Sequence, residues 1–160
     1  DVDHITWVSL SQGARAGLRY DPDQGIDARL SCTSSGHAWL STLSESDALQ
    51  LVAKQGFAKP SEYGPNAPTT PNALLKALRQ AKKQGYAMTF DTYGQGVSAI
   101  AAPILPRHSG AVGVLAISGP SVRLTEEKMQ SLVPDLLAAA ADIANAAGSS
   151  PLFNRAYVAS

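Results

Sequence analysis

The chain contains 160 residues with 13 basic and 13 acidic side chains, so its formal net charge is zero. Its 44% hydrophobic content excludes wholesale disorder, and its length predicts a single domain with a buried core. Neutrality argues against nucleic-acid binding by these residues, because phosphate contacts need a surplus of Lys and Arg. The charge balance gives no reason to expect binding to a membrane surface either. The expected partner is therefore a small molecule or another protein.

The chain has one cysteine, Cys32, which excludes an intramolecular disulfide and fits a reducing cytosol. Its first residues lack the basic and apolar regions of a signal peptide. The most apolar stretch, residues 99–121, is interrupted by prolines and charged side chains and cannot span a bilayer. We therefore expect a cytoplasmic protein. The abrupt, strand-like start suggests a fragment whose N-terminal part is missing.

The first third of the chain is predicted to be β structure. β-Branched and aromatic residues indicate a strand over residues 4–10, a turn at 11–13 and a return strand over 14–20. The Asp-Pro-Asp-Gln-Gly run at 21–25 is a strong loop signal, and a short strand is expected at 28–32.

The middle of the chain is predicted to be helical. A first helix is expected over residues 36–43, and Ser44 begins a second one with a sequence that resembles a capping box. Prolines between residues 57 and 69 predict an irregular connection. A third helix begins at residues 70–71, a Thr-Pro pair, and ends at Gly85. The apolar positions expected to face the core are Leu49, Val52 and Ala53 in the second helix and Leu74, Leu75, Leu78 and Ala81 in the third.

The last third is predicted to be a β-hairpin followed by a helix. Apolar runs at residues 97–105 and 111–118 form the hairpin, and the Gly-Pro pair at 119–120 stops its second strand. Thr125 caps the closing helix, which Pro134 should kink or divide.

Short hairpin connections favour an antiparallel sheet with helices packed against it. The predicted fold class is therefore α+β, with a mostly antiparallel sheet flanked by helices. The domain is expected to cover residues 1–148, and residues 149–160 are expected to form a C-terminal tail.

Sequence motifs for catalysis or metal binding are missing. His4, His37 and His108 are too scattered for a metal motif, and no spacing rule supports Cys32 with His37 as a nucleophile and its base. We expect no catalytic residue, metal or cofactor. The exposed basic patch on the third helix is interpreted as a solvated face, with an acidic partner or DNA as the alternative; it consists of Lys76, Arg79, Lys82 and Lys83.

Small and hydroxyl-bearing residues precede the first predicted helix. The first turn of a helix leaves backbone N–H groups unpaired and carries partial positive charge. Ser34, Ser35 and Gly36 could therefore cradle a carboxylate or phosphate group at this point. Simple N-capping explains the same residues equally well.

Three ordered blocks of sequence carry a family resemblance. The first is residues 30–40, LSCTSSGHAWL; the second runs from 85 to 104; the third covers 114–125 and the closing helix. Together they resemble the effector-binding domain of IclR-type transcriptional regulators. The resemblance spans nearly the whole chain. It implies a GAF-like α+β domain that senses a small organic acid and self-associates as a dimer or tetramer. Operator DNA would be bound only by an N-terminal winged helix-turn-helix, which is absent from this chain.

The resemblance also implies which positions bind the effector. The predicted effector-binding residues are Ser34, Ser35, Gly36, Thr89, Val97, Ala99, Ala116 and Ser118, with Leu18 or Tyr20 as further contacts. The sequence departs from the family pattern at several positions: Thr89, Phe90 and Thr92 replace commonly acidic residues, Ser98 replaces a common Arg, His37 replaces a common Lys, and Ala116 replaces the Ser of some members. The neutral replacements keep a carboxylate effector plausible, and Ala99 and Ala116 leave room for a larger or more apolar body.

Two other functions remain open at the level of sequence. Ser34 or Ser35 could be the nucleophile of a hydrolase or isomerase, although no base or orienting acid is evident. The domain could also be an oligomerisation module that binds no ligand.

Overall fold

The computed structural model describes residues 5–6, 8–11, 28–59 and 61–148. Within them, a three-stranded antiparallel sheet is combined with four helices, which confirms the α+β prediction. The elements are α1 (Ser34–Leu40), α2 (Glu45–Gln55), α3 (Pro71–Gln84), β1 (Ala87–Phe90), β2 (Val97–Ile104), β3 (Gly113–Pro120) and α4 (Glu126–Gly148).

The strand order is β1-β2-β3, and the register brings Thr89, Ala99 and Ser118 side by side. Because alternate residues of a strand point to the same face, these three positions share one face of the sheet. The neighbouring row on that face contains Ala101, paired with Ala116.

The two faces of the sheet pack against different helices. Ile100 and Ala102 lie on one face and pack with Leu136 and Ala140 of α4. On the opposite face, α1 and α3 approach the sheet through a cluster whose buried members are all alanines: Ala38, Ala81, Ala87 and Ala101. These small side chains let α1 approach the strands, and its seven residues are all buried.

The predicted caps are confirmed. The side chains of Ser44 and Thr70 accept hydrogen bonds from the backbone N–H groups of the first turns of α2 and α3, and Gly85 ends α3 in the left-handed conformation. Thr125 likewise accepts from the amide of Lys128 at 3.3 Å.

Three predictions about element boundaries need correction, and one strand was missed. α1 begins at Ser34 rather than Gly36 and ends at Leu40. Of the two effects predicted for Pro134, a kink or a division, the division does not occur: α4 runs from Glu126 to Gly148, since a proline removes one hydrogen bond and the rest of this helix is anchored on the sheet. β3 continues through the Gly-Pro pair that was expected to stop it. β1 was not foreseen, because a four-residue strand offers too short an alternation to be recognised.

The N-terminal strand predictions are wrong where the structure describes them. Ile5 and Ala28 form one isolated antiparallel bridge, and residues 8–11 have no regular structure. After Ala28 the chain turns instead of extending, because the amides of Cys32 and Thr33 both donate to the carbonyl of Arg29. Most of the predicted turn, the return strand, the loop at 21–25 and the tail lie outside the described residues.

Candidate functional site: a hydroxyl-lined cavity

A cavity of about 40 Å³ lies between the start of α1 and the sheet face that carries Thr89, Ala99 and Ser118. The described residues that line it are Thr33, Ser34, Ser35, Thr89, Thr92, Tyr93, Val97, Ala99, Ala116 and Ser118. Seven of the eight predicted effector-binding residues are thus brought together, and Gly36 is the exception. Leu18 and Tyr20 lie outside the described residues.

The wall formed by α1 offers hydrogen-bonding groups to the cavity. Thr33 caps the helix by accepting from the Gly36 amide at 3.0 Å, and its hydroxyl donates to the Arg29 carbonyl at 2.9 Å. Ser34 and Ser35 follow in the first turn and are buried, and neither hydroxyl bonds to another described residue. These two hydroxyls and the backbone N–H groups of Ser34 and Ser35 remain available to a ligand.

Gly36 is required for packing instead of for lining the cavity. A Cβ atom at this position would overlap the carbonyl oxygen and Cα of Leu30. The missing side chain lets α1 cross directly against the turn that precedes it. This contact fixes where Ser34 and Ser35 lie.

The sheet forms the floor of the cavity. Ala99 lies between Thr89 and Ser118 in the register, so a small apolar residue is flanked by two hydroxyl-bearing ones. The Thr89 hydroxyl reaches the Ala99 carbonyl only at 3.5 Å, which is a long hydrogen bond. Val97 and Ala116 add further apolar surface to the same cavity.

Sequence reasoning did not assign Thr33, Thr92 and Tyr93 to the site. Thr92 and Tyr93 belong to the connection between β1 and β2, where the alternation of strand residues has ended and periodicity does not place side chains. The Thr92 hydroxyl donates to the Cys32 carbonyl at 2.6 Å and ties this connection to the entry of α1.

No charged side chain occurs among the described residues that line the cavity. Burial raises the pKa of the Cys32 thiol to about 12, although the nearby Arg29 charge opposes this shift. Burial also lowers the pKa of His37, while its hydrogen bond to Ser31 acts in the opposite direction. The Nε2 atom of His37 lies 2.8 Å from the Ser31 carbonyl oxygen and must donate to it. Among the described residues, the Cys32 thiol contacts the Arg29 carbonyl and no hydrogen bond joins it to His37.

The remaining charged features lie at the surface. Arg79 of the basic patch makes two hydrogen bonds to the Glu45 carboxylate, at 2.7 and 2.8 Å, and this bonding holds the pKa of Glu45 below its ordinary value. In the described ranges, no three His, Cys, Asp or Glu side chains are grouped as metal ligands would be. No helix there is long and apolar enough to cross a membrane.

The structure is thus an α+β domain with a small cavity beside the buried start of α1. The sequence of residues 2–145 matches the family described as the C-terminal domain of the bacterial transcriptional regulator IclR. The chain belongs to this family of transcriptional regulators, as the resemblance predicted.

Curated relatives include the HTH-type transcriptional repressor AllR of two bacteria. The protein from Salmonella typhimurium is 31% identical over 122 residues, covering 76% of this chain and 44% of AllR. The one from Escherichia coli K12 is 30% identical over 119 residues, covering 74% of this chain and 43% of AllR. The chain spans less than half the length of these relatives.

Solved structures confirm the fold. A putative IclR regulator from Silicibacter has a TM-score of 0.78 at 20% identity, covering 89% of this chain and 55% of that one. The inducer-binding domain of a PobR double mutant from Acinetobacter, in complex with 3-hydroxybenzoic acid, has a TM-score of 0.76 at 21% identity, covering 89% and 82%. The C-terminal domain of E. coli KdgR has a TM-score of 0.68 at 27% identity, covering 76% and 73%.

Proposed function

We propose that this domain binds a small organic acid in the cavity beside α1 and thereby controls operator DNA binding by a winged helix-turn-helix elsewhere in the regulator. The observation that carries the proposal is that seven positions predicted from the family resemblance border one cavity. The inducer-binding domain of PobR, which has a similar fold, was solved with an aromatic acid. The proposal assigns no catalytic activity to the domain and locates it in the cytoplasm, where operator DNA lies.

The chemistry of the cavity suits a carboxylate held by hydrogen bonds. The carboxylate would accept from the first-turn amides of α1 and from the Ser34 and Ser35 hydroxyls, and such charge-assisted bonds are stronger than neutral ones. The body of the acid would contact Val97, Ala99 and Ala116. Because no lysine or arginine lines the described cavity, the backbone amides and hydroxyls must stabilise the charge.

Regulation requires that the acid bind one arrangement of the protein better than another. We propose that the domain self-associates as a dimer or tetramer, and that occupancy of the cavity shifts this oligomer between arrangements that differ in operator affinity. A ligand with equal affinity for both arrangements would change nothing.

The proposal is tested by calorimetric titration of the chain with a panel of acids chosen by thermal shift, including lactate, pyruvate and 3-hydroxybenzoate. The Ser35→Asp variant should lose binding through charge repulsion and bulk. The milder Ser35→Ala variant should weaken it several-fold by removing one hydrogen bond. Ser46→Asp, which adds the same charge on the exposed face of α2, is the matched control and should bind normally.

Unchanged affinity in both folded Ser35 variants would contradict the assignment of the carboxylate to the start of α1. The two other functions have separate signatures. Ester turnover that disappears in Ser35→Ala would favour the serine hydrolase or isomerase, for which the described cavity lining supplies no His, Asp, Glu or Lys as a base. A chain that self-associates but binds none of the acids would favour the ligand-free oligomerisation module.

A further inference from the structure

The cavity is small relative to ordinary ligand sites. Its volume of about 40 Å³ is well below the range of about 300–1,000 Å³ that is typical of ligand pockets. The side chains that line the cavity therefore limit the size of the ligand that it can bind. Among the described lining residues, all are Ser, Thr, Ala or Val except Tyr93, which is the largest side chain.

Tyr93 is supported from behind by a second aromatic ring. The ring centroids of Tyr93 and Tyr63 are 5.8 Å apart and their planes are tilted by 58°, which is a favourable geometry for an aromatic pair. Both residues also belong to one small apolar cluster with Cys32, Ala58 and Ala67. The ring of Tyr93 is therefore packed between the cavity and Tyr63.

The backbone brings the two tyrosines together. The Gly64 amide donates to the Thr92 carbonyl at 3.1 Å, and the Asn66 amide donates to the Asp91 carbonyl at 3.0 Å. A Cβ atom on Gly64 would overlap the Asp91 carbonyl oxygen, so only glycine permits this approach. The connection between α2 and α3 is thereby held against the connection between β1 and β2.

Tyr63 is held in turn by Arg29. The guanidinium carbon lies 5.6 Å from the centroid of the Tyr63 ring, and the Nε atom donates to the Tyr63 hydroxyl oxygen at 3.2 Å. Another guanidinium nitrogen donates to the Gln55 carbonyl at 2.6 Å. Three side chains in contact thus connect the cavity wall to the end of α2.

We propose that Tyr93 is the specificity-determining residue that limits the size of the ligand, and that Tyr63 is a positioning residue that holds it in place. The inference rests on the proposed function, because it concerns the same cavity. Short acids enter this cavity, and an aromatic acid is excluded by the supported Tyr93 ring. Removing the Tyr93 ring, or the Tyr63 ring that packs against it, weakens the preference for short acids over aromatic ones.

The test compares two probe acids, lactate and 3-hydroxybenzoate, by calorimetric titration. Tyr93→Ala should shift the ratio of their dissociation constants towards the aromatic acid by about tenfold or more. Tyr63→Leu should shift it in the same direction by about two- to tenfold, the range expected for one aromatic pair. In the Tyr93→Ala background, Tyr63→Leu should have no further effect on the ratio.

Tyr86→Leu is the matched control for loss of a tyrosine ring. Tyr86 packs against the cluster between the sheet and α4, and its hydroxyl contacts Gln130, away from the cavity. The Tyr86→Leu variant should leave the ratio of the two dissociation constants unchanged. If Tyr63 only stabilised the fold, Tyr63→Leu would weaken the binding of both acids equally, and it would do so in the Tyr93→Ala background as well. That result would overturn the positioning role.

If neither acid binds, that result counts against the proposed function. Two further measurements then still test the size limit set by Tyr93 and the positioning role of Tyr63. Phenol, an uncharged aromatic probe, should bind to Tyr93→Ala and not to the wild-type chain; equal behaviour of the two proteins would overturn the size limit. In protein labelled with 3-fluorotyrosine, Tyr63→Leu should shift the Tyr93 fluorine resonance, identified by its loss in Tyr93→Phe. An unmoved resonance would overturn the positioning role.

Discussion

At the scale of single residues, the site depends on side chains that are small or absent. α1 crosses the turn before it because Gly36 has no Cβ atom, and it approaches the sheet because Ala38 faces Ala87 and Ala101. A larger residue at any of these positions would lift Ser34 and Ser35 away from the strands. The geometry of the cavity is therefore set as much by residues behind it as by those that line it.

The first prediction concerns Gly36→Ala. In an ordinary helix this change is stabilising by up to about 1 kcal/mol, because alanine is the better helix former. Here the new methyl group must displace the Leu30 backbone, so we expect the free energy of unfolding to fall by about 1–3 kcal/mol. Urea denaturation measures the effect.

Gly94→Ala provides the comparison for Gly36→Ala. A Cβ atom at Gly94 would meet only a Val97 methyl carbon at 3.8 Å. Its unfolding free energy should stay within about 0.5 kcal/mol of the wild type. Equal stability of the two variants would show that the close contact of α1 with Leu30 is not strained by a methyl group.

At the scale of elements, the helices start where short polar side chains satisfy the first-turn amides. Thr33, Ser44 and Thr70 each do this for the helix that follows. These local rules explain why the starts of α2 and α3 could be predicted from sequence. They explain helix burial less well: Ala53 was assigned to the core face of α2 but is exposed, whereas Ala48 is buried.

The second prediction concerns the cap of α3. Thr70→Ala removes the hydroxyl that accepts from the Ala73 amide at 3.2 Å and should lower the free energy of unfolding by about 1 kcal/mol. Thr70→Ser should restore most of it, because serine caps equally well. Thr69→Ala, at the exposed preceding position, should have almost no effect. A similar loss in both alanine variants would contradict the capping role.

At the scale of the whole molecule, α1 is enclosed on all sides although it has only seven residues. Isolated helices of this length are unstable in water, so α1 is stabilised by tertiary packing. His37 is buried in this helix and carries its proton on the nitrogen that donates to Ser31. The global stability of the fold should therefore depend on pH through this residue.

The third prediction follows from the sign of that coupling. Burial lowers the pKa of His37 below its ordinary value of 6.5, so below this pH the unfolded chain binds a proton that the folded chain does not. The free energy of unfolding should be fully retained above about pH 6.5 and should fall as the pH drops further, by at most about 1.4 kcal/mol per pH unit for one proton.

Urea denaturation at about pH 7.5 and pH 5.5 checks this coupling. His37→Gln keeps a side-chain N–H for Ser31 but has no group that titrates in this range. It should reduce the loss of stability at the lower pH, whereas His108→Gln, at an exposed position, should not. Identical pH dependence in wild type and His37→Gln would contradict the coupling.

The sequence by itself determined the features that depend on neighbouring residues. Helix caps, the connection rich in proline, the α4 start and the hairpin of β2 and β3 all follow from residues within a few positions of one another. The family resemblance supplied seven residues that border the cavity, in chain segments separated by more than fifty positions. Alternation along the strands explains why Ala116 and Ser118 share one face.

Only the tertiary structure decided how these segments meet. It showed that Gly36 packs on Leu30, that Thr92 is tied to Cys32, and that Tyr93 completes the cavity wall with Tyr63 behind it. None of these contacts has a local signature, because each joins residues from different elements. The physical reason is steric: the volume of a cavity is set by how closely separate elements can approach, and that distance depends on all of their packed side chains at once.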